Sequence, residues 1–226
     1  MEPFRTLLCT SLALALAGCA ASDSASRAGD LGRGTFRYAC TSTDDAVCAS
    51  GTTDRNFDFP TAISVGGRFT LTFTPTDGSG NYALKPASTE FLSDDSVALF
   101  RAKKAGRVAV VARSTANGKA ADLTYVRIAQ PTKIRILGDK DVAVLPKVTL
   151  KVGEELTLRG EAKGSLDETL GGSVDYDWAV SDASVLELRA ASPVRRMTIR
   201  AAKAGASKLE VKIGETASSV DVEVTP

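Results

Sequence analysis

The sequence predicts an all-β protein: two tandem β-sandwiches that follow an N-terminal address segment and a flexible tether. Three observations carry this. Residues 148–159 hold one alternating apolar run (Val148, Leu150, Val152), then Gly153, then a second run (Leu156, Leu158). Alternation at period two gathers one set of side chains on one face of a strand. The same design stands earlier, in Ile63, Val65, Gly66-Gly67, Phe69, Leu71 and Phe73. Finally, Val, Thr, Ala and Gly abound while apolar spacing at the helical period is scarce, which favours strands.

Composition narrows the function. Of 226 residues, about 200 remain after an address segment, enough for one large domain or two of about 100. A hydrophobic content of 43% can build packed cores. Lys plus Arg (28) balances Asp plus Glu (27), so the basic excess of a nucleic-acid binder is missing. There is no histidine. That excludes Ser-His-Asp and Cys-His catalysis and removes the commonest transition-metal ligand.

Taken in order, the chain opens with Arg5 and a largely apolar run over residues 7–17. That is signal-peptide length and too short for a permanent bilayer span. It ends Leu16-Ala17-Gly18-Cys19, which resembles a bacterial lipobox. The resemblance implies that residues 1–18 are a lipoprotein signal peptide and that Cys19 is acylated and becomes the new N-terminus, a membrane anchor stable with two or three chains. Ala20 and Ala21 follow, with no Asp. In such lipoproteins this points to the outer membrane. Residues 19–34, rich in Ala, Ser, Gly and Asp, read as a flexible tether.

Cys9 leaves with the signal, and Cys40 and Cys48 remain. In an oxidising compartment they are expected to form a disulfide. Its nine-residue loop would stabilise the fold by about 2.5 kcal/mol on the chain-entropy model. A metal site is the rival reading, and two cysteines without histidine make a poor one. The enclosed residues 41–47, polar and carrying Asp44 and Asp45, read as an exposed loop.

The first sandwich is expected over residues 35–130. Residues 35–39 alternate as a strand into the stapled loop, and Phe57 and Phe59 read as core or edge aromatics. Residues 63–65 and 68–74 are strands, the latter with Thr70, Thr72 and Thr74 outward. Residues 76–81 are a loop by composition. Residues 107–113 and 121–128 form a hairpin about Asn117-Gly118, since both residues tolerate positive φ.

The second sandwich is expected over residues 131–226, joined through the short 129–132 break. Four residues span at most about 13 Å, so the units should sit end to end with limited freedom. Ile134 and Ile136 open it. Residues 164–173 read as a loop with Gly171-Gly172, and residues 197–201 as a strand. Leu209, Val211 and Ile213 alternate with Lys208, Glu210 and Lys212, and Val220, Val222 and Val224 alternate with Asp221 and Glu223. That is one buried face and one wet face.

Side by side, Val-Gly-x-x-Φ-Thr-Leu, Ser-Asp-x-Ser-Val and Ala-Gly recur in order at Val65, Ser93 and Ala105, then at Val152, Ser181 and Ala204. Residues 190–196 read as an inserted turn in the second copy. These motifs resemble bacterial immunoglobulin-like domains of the group-2 type. The second copy carries the pattern at Leu150-Lys151-Val152-Gly153, at Trp178 with residues 181–185, and at Ala204-Gly205. The first copy lacks the tryptophan; Glu90 falls at that place with Phe91 beside it. The resemblance implies immunoglobulin-like β-sandwiches, which occur in adhesins, surface spacers and accessory modules of envelope enzymes.

Chemistry-bearing candidates are few. Asp44-Asp45, Asp94-Asp95 and Asp175-x-Asp177 are paired carboxylates, but glycosidases need such pairs flanking a cleft, and turn capping or solvated strand faces account for them. Calcium could use some of these oxygens, yet no EF-hand spacing is present. Ser-x-x-Lys and phosphate-cradling glycine loops are absent from the sequence. Trp178 at its place in the repeat reads as a core residue in preference to a sugar platform. The expectation is a non-catalytic protein without metal or cofactor. It is tied by lipid to the cell envelope, on the outer membrane, and makes surface display, adhesion or protein contact through its loops and sheet edges. The alternative is a glycan-binding or accessory module of an envelope enzyme.

Overall fold

A computed structural model describes residues 25–48, 59–138, 143–144 and 146–226. The signal peptide, Cys19, the first part of the tether and Phe57 lie outside the described residues. Those residues contain strands and no helix long and apolar enough to cross a membrane.

The first sandwich is built from β1 (Ser26–Ala28), β2 (Gly34–Ala39), β3 (Ile63–Ser64), β4 (Arg68–Pro75), β5 (Tyr82–Pro86), β6 (Leu92–Ser96), β7 (Leu99–Ala102), β8 (Gly106–Ser114) and β9 (Ala120–Ala129). Its sheets run β1-β2-β4-β7-β6 and β3-β9-β8-β5. The second is built from β10 (Lys133–Leu137), β11 (Lys147–Lys151), β12 (Glu155–Lys163), β13 (Asp177–Val180), β14 (Leu186–Leu188), β15 (Arg196–Ala201), β16 (Gly205–Ile213) and β17 (Thr216–Thr225). Its sheets run β10-β12-β15-β14 and β11-β17-β16-β13. The fold is all-β, two immunoglobulin-like sandwiches in tandem.

The repeated Val-Gly stretch is where the chain changes sheets. β3 and β11 pair in parallel with β9 and β17, whereas β4 and β12 belong to the opposite sheets. Gly66 (φ +84°) and Gly153 (φ +90°) make the crossing in a backbone conformation that costs glycine little. Their N–H groups donate to Ala102 O and Ala201 O, both at 2.8 Å, so the two units fasten the crossing alike.

The period-two pattern then fills the cores. Leu209, Val211 and Ile213 of β16 are buried while Lys208 and Lys212 are exposed. The second core also takes in Ile134, Leu158, Tyr176, Trp178, Met197 and Ile199. The first is richer in aromatics: Tyr38 stacks on Phe69 (centroids 5.6 Å apart), which stacks on Phe100 (5.7 Å).

Three expectations are corrected. Residues 26–34 do not extend the tether, because β1 pairs with β2 through Ser26↔Arg37 and Ala28↔Thr35. The cause is Asp122 on β9, a fully buried carboxylate whose oxygens accept the N–H groups of Leu31 (2.9 Å), Arg33 (2.7 Å) and Leu123 (2.8 Å); a buried charge needs such donors. Residues 41–47 are not a freely exposed loop, since Asp45 is fully buried. The place of Trp178 is filled in the first unit by Leu84, not Glu90. Leu84 lies opposite Ala112 on β8 as Trp178 lies opposite Val211 on β16, and those two strands begin at the matching residues Gly106 and Gly205.

Candidate functional site

Chemistry-bearing side chains converge where the two sandwiches meet. The site is built by three short stretches: the end of β2 with the stapled loop, the β3–β4 crossing, and residues 171–173 of the second unit. β2 stops pairing with β4 at Ala39↔Thr70, which leaves the start of β4 open on that side. Ser173 takes the vacant place: Arg68 N–H donates to Ser173 O (2.9 Å) and Ser173 N–H to Arg68 O (2.8 Å). On the other sheet Gly171 extends past β3, with Ser64 N–H donating to Gly171 O and Gly171 N–H to Ala62 O, both 2.9 Å. The second unit thus completes strand edges in both sheets of the first.

The two double glycines meet face to face at this joint. A Cβ on Gly172 (φ +89°) would lie 3.0 Å from the Gly67 Cα, and one on Gly67 would lie 3.2 Å from the Gly172 Cα. The backbones approach so closely that side chains are excluded on both sides.

Tyr38 and Asp45 sit beneath. The Tyr38 hydroxyl donates to Asp45 Oδ2 (2.5 Å) and accepts the Gly172 N–H (2.8 Å). Asp45 Oδ1 accepts the Val47 N–H at 3.2 Å. Burial pushes the Asp45 carboxyl up from 3.8 to about 6, against the opposing pull of the Tyr38 and Val47 hydrogen bonds and the Arg195 charge. Burial also drives the Tyr38 phenol well above its ordinary range, helped by the Asp45 charge. Around this centre Ser42 Oγ meets Ser173 Oγ (2.7 Å), Arg195 N–H donates to Asp44 Oδ1 (2.8 Å), and Arg68 pairs with Asp175 (3.0 Å). Arg127 pairs with Glu168 across the same joint.

Cys40 and Cys48 are joined as a disulfide with Cα atoms 6.4 Å apart, closing the loop that presents Asp44 and Asp45. Cys40, Asp45 and Cys48 are the cluster of potential metal donors among the described residues. Both sulfurs are consumed in the disulfide, and metals bind thiolates, so this donor set does not suit an ion. Three other carboxylates singled out by the sequence have local partners. Asp94 pairs with Lys85, Asp95 with Ser93 and Arg101, and Asp182 caps the Ser184 N–H. Trp178 is buried, its Nε1 donating to Val194 O at 2.7 Å. Sequence reasoning singled out Asp44, Asp45, both cysteines and the double glycines. It missed that they assemble, and it missed Tyr38 and Ser173, whose contacts with Gly172 and Ser42 span 134 and 131 residues of chain and leave no local signal.

No protein-family model matches the chain, and no curated protein does. Among solved structures it is similar to domains 4 and 5 of the S-layer protein SbsC, at 15% identity over 75% of this chain and 97% of that one, TM-score 0.34. It is similar to invasin, a bacterial integrin-binding protein, at 13% identity over 74% of this chain and 38% of that one, TM-score 0.35. It is also similar to the adhesin InvE of Yersinia pseudotuberculosis, at 13% identity over 74% and 57%, TM-score 0.34.

Proposed function

We propose that this chain is a non-catalytic cell-envelope protein, lipid-anchored at Cys19 to the outer membrane, which displays a stiff pair of immunoglobulin-like units to a macromolecular partner. In this reading residues 1–18 are removed as signal peptide, the first unit runs from β1 at Ser26 to residue 130, and residues 131–226 are the second. The carrying observation is the joint. Residues 171–173 pair by backbone with both sheets of the first unit, so the two sandwiches move as one rod. A rod on a short leash holds its surfaces at a set distance from its anchor. Its clustered acids and thiols are spent on structure, and binding through sheet edges and end loops needs no bond making.

The test is photo-crosslinking on intact cells from an exposed position such as Val97, with palmitate labelling alongside. Label on the wild-type protein, none on Cys19→Ala, and one recurrent protein adduct support the reading. Turnover of a substrate by the purified soluble chain would refute it. The alternative, a glycan-binding module, has one observation in its favour: Tyr82 stands half-exposed at the rim of an open cleft. It predicts retention by peptidoglycan that Tyr82→Ala abolishes.

A further inference from the structure

The two sandwiches differ at one cleft. In the first unit it lies between the far half of β4 and the outer edge of β5, holds about 500 Å³ and includes Leu71, Phe73, Tyr82, Leu84 and Val97 in its walls. β7 covers β4 only from Arg68 to Thr70. The Leu71 N–H still donates to Ala98 O (3.1 Å); beyond it β4 has β2 on one side and the cleft on the other. Backbone groups alternate sides along a strand, so Phe73 turns its N–H and C=O into the cleft as Leu71 does. Among the described residues β5 pairs with β8 alone. Asn81 O accepts from Thr115 N–H, and Ala87 N–H donates to Ala109 O, so the same alternation aims the backbone groups of Tyr82 and Leu84 outward.

The second unit shows what such a slot holds. Strand register matches Phe73 with Gly160, Tyr82 with Tyr176 and Leu84 with Trp178. There residues 192–195 lie across the gap. Val194 N–H donates to Tyr176 O (3.1 Å) and Gly160 N–H donates to Arg195 O (2.9 Å), tying one sheet edge to the other. Ser192 Oγ accepts Trp178 N–H (3.0 Å) and donates to Tyr176 O (3.2 Å), Arg195 Nε donates to Gly160 O (3.0 Å), and Val194 packs on the core. In the first unit the corresponding connection is a tight turn, with Ser96 already opposite Leu99. Phe73, where the second unit has glycine, holds the Tyr82 ring at the rim in a T-shaped contact at 5.1 Å.

Resting on the surface-contact reading above, we infer that the first unit's cleft accepts an extended segment of a partner protein, bridging β4 and β5. The segment supplies what residues 192–195 supply in the second unit: a hydroxyl, a small branched apolar side chain and a following guanidinium. The apolar side chain enters between Phe73 and Leu84. The guanidinium donates to Phe73 O, as Arg195 donates to Gly160 O. Main-chain bonds give such strand addition its affinity, and the side-chain pocket gives its selectivity.

The probe is a synthetic peptide with the chain's own 190–196 sequence, Ala-Ala-Ser-Pro-Val-Arg-Arg, titrated into the isotope-labelled soluble chain. Saturable shifts and slowed exchange at the Phe73, Tyr82 and Leu84 amides are expected, and Val→Asp in the peptide should weaken binding at least tenfold. A second variant replaces residues 95–98 with residues 189–197, the segment that strand register sets between the same two strands, so that the chain fills its own cleft. It should fold with extra stability and lose the shifts. No shift at the three amides up to the peptide's solubility limit would overturn the proposal. Concentration-dependent dimerisation abolished by the graft would give the cleft to a second copy and overturn the partner assignment. An adduct on cells, probed in both forms from Lys85, which lines the cleft and which the graft keeps, that survives in the grafted variant would leave the display reading standing and sink the cleft.

Discussion

Asp45 makes stability depend on pH in a direction opposite to that of the surface carboxylates. Its carboxyl titrates near 3.8 in an unfolded chain and at about 6 in the fold. The folded state therefore binds the proton more tightly, and stability falls as pH rises from about 4 to about 6. With about 1.4 kcal/mol per pKa unit, the penalty at pH 7 is about 3 kcal/mol. The salt-bridged acids Glu90, Asp94, Asp95 and Glu168 are all held below their ordinary values. Their contributions are complete above the unfolded carboxylate range and are lost only as pH falls through it, so the window from pH 5 to 7 isolates Asp45. About 1.3 kcal/mol of the Asp45 penalty develops inside the window, so urea unfolding across it should show the midpoint dropping by about 0.4–1.3 M as pH rises, for a slope of about 1–3 kcal/mol per molar. Asp45→Asn keeps the size, lets an amide oxygen take the Val47 N–H, and cannot ionise. Its midpoint should stay flat over the window. Equal slopes for wild type and variant would show that the buried carboxyl is not the source.

Other consequences can be measured directly. Gly172→Ala meets both a positive φ and the Gly67 backbone at 3.0 Å; a loss of about 2 kcal/mol and independent tumbling of the two units in NMR relaxation are expected. Trp178→Ala empties a core position and strands Val194 O and the 192–195 strap; thermal denaturation should report a loss of about 3–5 kcal/mol. Cys48→Ser opens the stapled loop at a cost of about 2.5 kcal/mol, and hydrogen exchange should quicken at Gly172 and Val47 before it quickens in the second core. Asp122→Ala withdraws the acceptor for Leu31 and Arg33, and residues 26–33 should become protease-sensitive while β8 and β9 hold.

The fold was readable because its determinants are local. Alternation over residues 208–213 and 220–224 needs only a wet face and a dry face, and β16 and β17 lie where it puts them. The joint was not readable. Asp44-Asp45 has the composition of a surface turn, and Gly171-Gly172 that of a loop; nothing local says that they close on one another. Burial of Asp45 depends on Tyr38, Gly172 and Arg195 arriving together. The Trp178 counterpart was misplaced for a related reason. Motif spacing puts Glu90 there, whereas strand register, which counts from Gly106 and Gly205, puts Leu84. The insertion over 190–196 was visible as extra length, but its role as the filling of a slot appears only when both sandwiches are compared.

The borrowing of residues 171–173 by the first sandwich also bears on the order in which the protein can be finished during synthesis. A nascent chain that has emerged only as far as residue 130 carries every strand of its first unit, yet Ser64, Arg68 and the Tyr38–Asp45 pair still await groups encoded more than forty residues downstream. Maturation of the N-terminal half is thus timed by translation or export of the C-terminal half, and a truncated product would betray itself by an unfinished edge.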